Sequence, residues 1–139
     1  MRRRIYFHIV WTTRGREPLI NLRTAEFLVR HLCHVAQEER ARVLEVGIVA
    51  THLHVLVTLA PMTQLPRLLQ RWKGASVYLA NREGLAAPHE LRWADGYTAE
   101  TVSPRQLDRV RAYLRGQSEH HPRDAIPGWH PFSAPEDLR

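Results

Sequence analysis

The chain has 139 residues, a length that suits one domain with its own hydrophobic core. Hydrophobic residues make up 44% and charged residues 24%, and no run approaches the roughly eighteen apolar residues of a membrane-spanning helix. The N-terminus lacks a signal-peptide pattern, and Cys33 is the single cysteine, so a disulfide framework and a cysteine-rich metal site are excluded. We therefore expect a globular cytoplasmic protein without a membrane partner.

The formal charge is +6, from 20 basic and 14 acidic residues, and Lys73 is the single lysine. Arginine forms bidentate contacts with phosphate and stacks on bases, which suits a nucleic-acid partner. A genome rich in G and C also favours arginine codons, whatever the function. The charge alone leaves both explanations open.

Strands and helices are predicted to alternate along the chain. β-branched and aromatic residues indicate a strand at 5–12, and apolar residues at helical spacing indicate an amphipathic helix at about 24–40 with Thr24 as its N-cap. The later elements are strands at 42–49 and 52–59, a helix at about 65–81, strands at 91–93 and 97–102, and a helix at about 104–119.

Turn signals arrange these elements into a fold. The short link after residue 49 makes the strands at 42–49 and 52–59 antiparallel neighbours, and Asp95-Gly96 predicts a hairpin turn. Ser103-Pro104 is a typical helix start. The order predicts an α+β ferredoxin-like sandwich, with helices packed on one face of an antiparallel sheet. The tail from residue 122 has four prolines, and we expect it to wrap the surface or be partly disordered.

The most informative motif is His52-Leu53-His54, at the head of the predicted strand 52–59. Successive strand side chains point to opposite faces, so the two histidines share a face that Leu53 does not. Neutral imidazole is a common metal ligand, and the strand would present two of them to one point. Two half-exposed histidines without a metal are the alternative, and the motif alone does not decide.

A second candidate pair lies on the last predicted helix. Tyr113 and Gln117 are four residues apart, hence on one face, and they border the apolar stripe of that helix. A tyrosine in this position usually belongs to the core or its rim. Beside the histidine pair, however, an amide oxygen would complete a half-open metal site next to a phenol able to attack a phosphodiester.

Taken in order, the chain resembles the single-tyrosine HUH transposases of small bacterial insertion sequences, among them the REP-associated tyrosine transposases. His52-Leu53-His54 matches the HUH signature of two histidines around a bulky hydrophobic residue. The other matching stretches are 7–14 with Arg16 and Pro18, 69–76, 93–97, 101–103, 113–117 and 119–121. The resemblance spans residues 5–121, and we define a transposase domain at 1–121 followed by a proline-rich tail at 122–139.

The resemblance implies a metal-dependent DNA-nicking and rejoining activity. Tyr113 would attack single-stranded DNA to give a 5′-phosphotyrosine and a free 3′-hydroxyl, and His52, His54 and Gln117 would hold Mg²⁺ or Mn²⁺. It also implies recognition of hairpin DNA, a nucleoid-associated location in a bacterium, and a possible homodimer in which the tyrosine helix serves the partner's histidines. Candidate DNA-binding residues are Arg14, Arg16, Arg67, Arg71 and Lys73.

Two departures from the family pattern stand out. Residues 49–51 lack the Pro-Asp that precedes the histidine pair in many relatives, which changes the turn and leaves the ligands in place. Gly116 lies inside the predicted last helix, where glycine costs about 1 kcal/mol relative to alanine.

Two other functions remain open. A domesticated, non-catalytic DNA- or RNA-binding module on the same fold would bind nucleic acid without cleaving it. A metal-binding ferredoxin-like domain with a small-molecule substrate would have no DNA affinity, and it would leave the arginine excess and Tyr113 unexplained.

Overall fold

Five strands and four α-helices make up the part of the chain that the computed structural model describes, residues 4–135. The strands are β1 (Ile5–Thr12), β2 (Ala41–Val49), β3 (His52–Leu59), β4 (Thr98–Val102) and β5 (Phe132–Ser133). The helices are α1 (Leu22–Glu38), α2 (Leu65–Arg82), α3 (Leu107–Arg115) and α4 (Gln117–His120), with short 3₁₀ turns at Arg14–Arg16 and Pro104–Gln106. None of these helices is both long and apolar enough to cross a membrane.

All five strands belong to one antiparallel sheet, in the order β4-β1-β3-β2-β5. The first four strands, connected as β1-α1-β2-β3-α2-β4, have the βαββαβ order of a ferredoxin-like fold. The α+β fold class and the antiparallel pairing of β2 with β3 are therefore confirmed. β3 lies at the centre of the sheet, and every one of its residues is buried.

The sheet is covered on both faces. On one face α1 and α2 pack over the larger core, which includes Trp11, Leu53 and Val55 from the strands. On the other face α3 packs on β2 and β3 over a smaller apolar cluster. We call these the apolar face and the α3 face. The prediction placed the helices on one face, which holds for α1 and α2, while α3 lies opposite them.

The first helix begins earlier than predicted. It starts at Leu22, and the side chain of Asn21 caps it by accepting a hydrogen bond from the Thr24 backbone N–H at 2.9 Å. Asparagine is as good an N-cap as threonine. The assignment of Thr24 as the N-cap is therefore wrong, and Thr24 is instead a buried residue of the first turn.

The predicted strand at 91–93 and the hairpin turn at 95–96 are also wrong. Within 91–93 the backbone makes one isolated bridge, to Thr13, and β4 pairs with β1 instead of a hairpin partner. The side chain of Asn81 forms hydrogen bonds with both backbone groups of Leu91. It accepts from the N–H at 2.7 Å and donates to the C=O at 3.0 Å. Those groups are therefore not free to extend a strand.

The last predicted helix is interrupted. Its first turn, Pro104–Gln106, is a 3₁₀ turn preceded by Ser103 as predicted, and α3 ends at Arg115. Gly116 leaves the helical conformation, and its N–H bonds to the carbonyls of Ala112 and Tyr113. A helix break at this position agrees with the low helix propensity of glycine.

The tail follows the surface of the domain. Its strand β5 pairs with β2 at Glu45 and Val46, and Ile126 and Ala134 are buried. Of the two behaviours expected for this segment, wrapping holds for residues 122–135. Residues 136–139 lie outside the described part of the chain.

Candidate active site

The two histidines of the motif lie on the α3 face of β3, with Leu53 on the apolar face as predicted. Both are almost fully buried, with exposed fractions of 5% for His52 and 7% for His54. Their ring centroids are 5.2 Å apart. The alternating pattern of the strand therefore holds the two imidazoles side by side.

Tyr113 of α3 lies directly against His54 of this pair. Its ring centroid is 5.7 Å from that of His54 and 6.3 Å from that of His8, both in edge-on contact. His120 of α4 stacks on it at 5.2 Å. The ring touches the buried His54, and because Tyr113 is 44% exposed it is also open to solvent. One chain therefore brings its own tyrosine and its own histidines together.

Gln117 is the most deeply buried of the predicted site residues, with 1% of its surface exposed. Its amide nitrogen donates to the Tyr113 carbonyl at 3.3 Å, whereas Oε1 is buried without a hydrogen-bond partner. The side chain is close enough to His52 to act on its pKa, in the raising direction. An unpartnered buried oxygen is costly and calls for an explanation.

A glycine in the sheet allows this close approach. A Cβ on Gly47 of β2 would clash with the carbonyl oxygen of Leu114 and would lie 2.9 Å from Cγ of Gln117. No other residue type fits without moving the end of α3. The local sequence gives no signal of this requirement, because the contact joins positions nearly seventy residues apart.

The surroundings of His8, His52 and His54 favour their neutral forms. Burial is the main cause that lowers the pKa of His54, to about 3, with the charges of His8, His52 and His121 acting in the same direction. Burial also lowers the pKa of His52 and of His8. Neutral imidazoles are the form that binds metal ions.

Hydrogen bonds leave one nitrogen of each imidazole available. Nδ1 of His54 lies 2.8 Å from Nε2 of His8, and Nδ1 of His52 lies 3.0 Å from Oγ1 of Thr51. In both rings the remaining nitrogen is Nε2. His8 thus has a place in the site, although sequence reasoning gave it no role.

The donor set fits a divalent cation. Within residues 4–135 no three His, Cys, Asp or Glu side chains come together as a metal-binding group. The predicted set depends instead on two imidazoles and an amide, and the unpartnered Oε1 of Gln117 is an oxygen that a cation would satisfy. His52, His54 and Gln117 remain the residues that would hold Mg²⁺ or Mn²⁺.

The first basic loop reaches the site. Arg16 is near enough to His52 that its charge contributes to the low pKa of that imidazole. Both Arg14 and Arg16 are exposed, and Gly15 and Arg16 have positive φ angles of 63° and 54°. A left-handed arginine costs conformational energy, and such residues concentrate at functional sites.

The other predicted cations are placed differently, because α2 lies on the apolar face of the sheet. Arg67 and Arg71 form ion pairs with Glu38 and Glu39 at the end of α1, at 2.6–3.0 Å. Lys73 donates to the carbonyls of residues 94 and 96, at 2.9 and 2.7 Å. The structure does not bring these three residues together with the histidines, and their part in DNA binding stays a prediction.

A buried ion-pair network fixes the helix that carries Tyr113. Oε1 of Glu45, which is fully buried, accepts from Nε of Arg111 and from a terminal nitrogen of Arg115, each at 2.8 Å. Oε2 of Glu45 accepts from Ser133 of the tail at 2.6 Å. These arginines stand two residues before and after Tyr113, so one carboxylate ties the tyrosine helix to the sheet.

Comparison with known proteins gives one consistent result. The family model "Transposase IS200 like" matches residues 2–117. The ISDra2 transposase TnpA of Deinococcus radiodurans is 23% identical over 120 residues, which cover 81% of this chain and 84% of that protein.

Solved structures show the same fold. A provisionally assigned transposase from Deinococcus radiodurans R1 superposes with a TM-score of 0.62 at 23% identity, covering 83% of this chain and 92% of that one. A REP-associated tyrosine transposase bound to a REP hairpin superposes with a TM-score of 0.69 at 10% identity, covering 84% and 68%. The family model spans most of the chain, and the chain belongs to the family of IS200-like transposases.

Proposed function

We propose that this transposase is a metal-dependent enzyme that nicks and rejoins single-stranded DNA through Tyr113. The observation that carries the proposal is the contact of an exposed tyrosine with the buried, neutral imidazole of His54 of its own chain, which lies beside His52 in a site with an unpartnered amide oxygen. A buried phenol would be a core residue. A phenol open to solvent on one side can meet a substrate.

In the cleavage step Oη of Tyr113 attacks the scissile phosphorus and forms a phosphotyrosine bond. The bond from phosphorus to the 3′-oxygen breaks, the phenolic proton passes to solvent, and the leaving oxygen takes up a proton from solvent to become a free 3′-hydroxyl. Rejoining is the reverse, in which a 3′-hydroxyl attacks the phosphotyrosine and restores the phenol. His120, stacked on the ring, limits the directions in which Tyr113 can point.

A bound divalent ion would supply charge stabilisation to the phosphate oxygens, which a phenol with an ordinary pKa near 10 needs. His52 and His54 would hold it through Nε2, and Gln117 through Oε1. Burial lowers the pKa of both imidazoles and so favours their neutral form, in which one ring nitrogen has a lone pair available for the ion.

The DNA partner would approach over the exposed basic loop. Arg16 lies near His52, Arg14 is exposed in the same loop, and both can pair with backbone phosphates of single-stranded or hairpin DNA. The REP hairpin held by one structural neighbour supports a hairpin as the DNA element that this chain recognises. The contact of Tyr113 with His54 of the same chain supports cleavage within one chain, and the homodimer stays a prediction.

The test is an assay for a covalent adduct. The protein is incubated with a labelled panel of hairpin-flanked single-stranded DNAs, with Mn²⁺ or with EDTA, and products are separated on a denaturing gel. We expect a slow-migrating adduct with Mn²⁺ that disappears in EDTA and in Tyr113→Phe. The matched control is Tyr78→Phe, which removes the hydroxyl of an exposed tyrosine on α2 and should leave the adduct intact.

The outcomes separate the functions that remained open. Adduct formation by Tyr113→Phe would show that another nucleophile is used and would overturn the proposal. DNA binding without an adduct from any substrate would favour the non-catalytic binding module. Metal binding without DNA affinity would favour a small-molecule enzyme.

A further inference from the structure

The tail lies beyond the matched family region, which ends at residue 117, yet it contacts the site. Asp124 has two contacts with the turn before His52. Its carboxylate accepts a hydrogen bond from Thr51 Oγ1 at 3.2 Å, and its carbonyl accepts from the Ala50 N–H at 2.7 Å. A tail that merely covered the surface would not need a carboxylate here.

The hydrogen bonds around Thr51 have one consistent direction. Its hydroxyl has a single proton, which is donated to Oδ2 of Asp124. The hydroxyl oxygen must then act as the acceptor towards Nδ1 of His52, 3.0 Å away, and that nitrogen must hold a proton. His52 is therefore fixed as the tautomer with Nδ1 protonated and Nε2 unprotonated.

The segment is anchored firmly enough for this role. Beyond Asp124, Ile126 is buried in the larger core. The Ala134 carbonyl accepts from Arg111 at 2.8 Å, and Ser133 donates to Glu45 at 2.6 Å. The tail is therefore held at both ends, first by the turn that precedes His52 and then by the network that fixes the Tyr113 helix.

We infer that Asp124, acting through Thr51, is a positioning residue that directs the unprotonated Nε2 of His52 into the site. The inference rests on the proposed function, because a lone pair held at Nε2 of His52 is useful only if that nitrogen binds the metal ion. A carboxylate that orients a ligating histidine is a common supporting contact in metal sites, and its loss costs about 10- to 100-fold in metal affinity. Here a threonine hydroxyl relays the effect.

The test reads the tautomer directly in metal-free protein. Long-range ¹H–¹⁵N correlation spectra at pH 7.5 distinguish protonated from unprotonated ring nitrogens. Wild-type His52 should have its proton on Nδ1. In Asp124→Ala the Thr51 hydroxyl is free to donate to Nδ1, so the proton should move towards Nε2. Asp124→Asn retains an acceptor oxygen and should restore much of the wild-type tautomer.

Controls separate the relay from general loosening. His54 is an internal reference, because its Nδ1 contacts His8 and not Thr51. Glu26→Ala removes an exposed carboxylate from α1 and should change neither ring. Thr51→Val removes the relaying hydroxyl at nearly constant shape and should shift His52 as Asp124→Ala does, which keeps the test available if Asp124→Ala does not fold.

A second readout is Mn²⁺ affinity, measured by electron paramagnetic resonance, which we expect to weaken about 10- to 100-fold in Asp124→Ala. An unchanged His52 tautomer in both Asp124→Ala and Thr51→Val would overturn the inference, as would an equal shift of His54. If wild-type protein showed the expected tautomer but bound no Mn²⁺, the metal-dependent function would fail while the relay stood.

Discussion

Leu53 and His54 are neighbours on β3, but their side chains enter opposite sides of the sheet and meet different kinds of structure. Leu53 joins a continuous apolar core under α1 and α2. His54 lies under α3 among other polar groups, which include Glu45, Gln117 and Arg111, all nearly or fully buried. Burial of apolar surface stabilises the folded state, whereas burial of polar groups costs free energy unless each is paired.

The difference between the two faces of the sheet indicates that one mainly stabilises the domain and the other mainly forms the site. The apolar face has a large core and can supply most of the stability of the domain. The α3 face keeps a small apolar cluster together with the buried ion pair of Glu45 with Arg111 and two buried histidines, an arrangement that stability alone would not favour. Proteins retain such groups where function needs them. We therefore expect changes on the α3 face to affect the position of Tyr113 as well as stability.

The largest effect is expected from Glu45→Gln. The glutamine amide carries no negative charge. The guanidinium of Arg111, whose side chain is only 6% exposed, would then be buried without a compensating carboxylate. Breaking a buried ion pair by removing one partner typically costs about 3–5 kcal/mol of unfolding free energy. Urea unfolding followed by circular dichroism measures this loss.

The matched control for Glu45→Gln is Glu83→Gln, which changes the exposed pair with Arg82 and should leave stability nearly unchanged. Hydrogen exchange then locates the effect. In Glu45→Gln the amides of α3 should lose more protection from exchange than those of α1. The amides of α1 should lose only the protection that follows from the lower global stability. Equal stability of the two variants would show that the network contributes nothing to fixing α3.

A smaller effect is expected from Gly47→Ala. The added methyl meets the Leu114 carbonyl and Gln117, so the end of α3 must move away from the sheet. Overpacking of this kind typically costs about 1–3 kcal/mol, and the displacement of Gln117 and Tyr113 should also reduce adduct formation. Denaturant unfolding and the adduct assay measure the two consequences separately.

Gly74→Ala provides the comparison for Gly47→Ala. A Cβ at Gly74 in α2 has no neighbour within 4 Å, so alanine should be tolerated and gain up to about 1 kcal/mol in helix propensity. If Gly47→Ala were as stable and active as Gly74→Ala, the close approach of α3 would not be needed to place the site.

Sequence patterns predicted what depends on neighbouring residues. The alternation at 52–59 placed His52 and His54 on one face, and helical spacing paired Tyr113 with Gln117. Resemblance to known transposases then connected the two pairs, which lie about sixty residues apart. The contact of Tyr113 with His54 agrees with that connection. The metal and the catalytic roles of these residues stay predictions.

The wrong predictions and the missed features have the same cause, which is contact between residues that are far apart in the sequence. The strand at 91–93 failed because Asn81 binds the backbone of Leu91, and no local pattern reveals that competition. In the sequence Glu45 looks like an ordinary strand residue, because its partner Arg111 is 66 positions away and meets it only in the folded chain. Arg67 and Arg71 read as a basic surface until α1 brings its carboxylates to them. These features depend on the whole fold.

Counted per pH unit, the smallest expected effect is a pH dependence that also comes from the α3 face. The folded-state pKa of His54 is about 3, below the ordinary 6.5, so between these values the unfolded chain binds a proton that the folded chain does not. Stability from this group is therefore complete above about pH 6.5 and falls, by at most about 1.4 kcal/mol per pH unit, as the pH drops towards 3. The lowered pKa values of His8 and His52 act in the same direction.

Urea unfolding in EDTA at several pH values between 4.5 and about 8 measures this slope without metal binding. Replacing His54 with leucine removes one titrating group from the α3 face, so the decline towards acid should become shallower. Leu53, buried beside the same position on the apolar face, does not titrate, whereas His31 of α1 on that face also has a pKa lowered mainly by burial and adds to the acid sensitivity. An unchanged slope in His54→Leu would mean that the acid sensitivity arises elsewhere and that His54 is not held neutral by its burial.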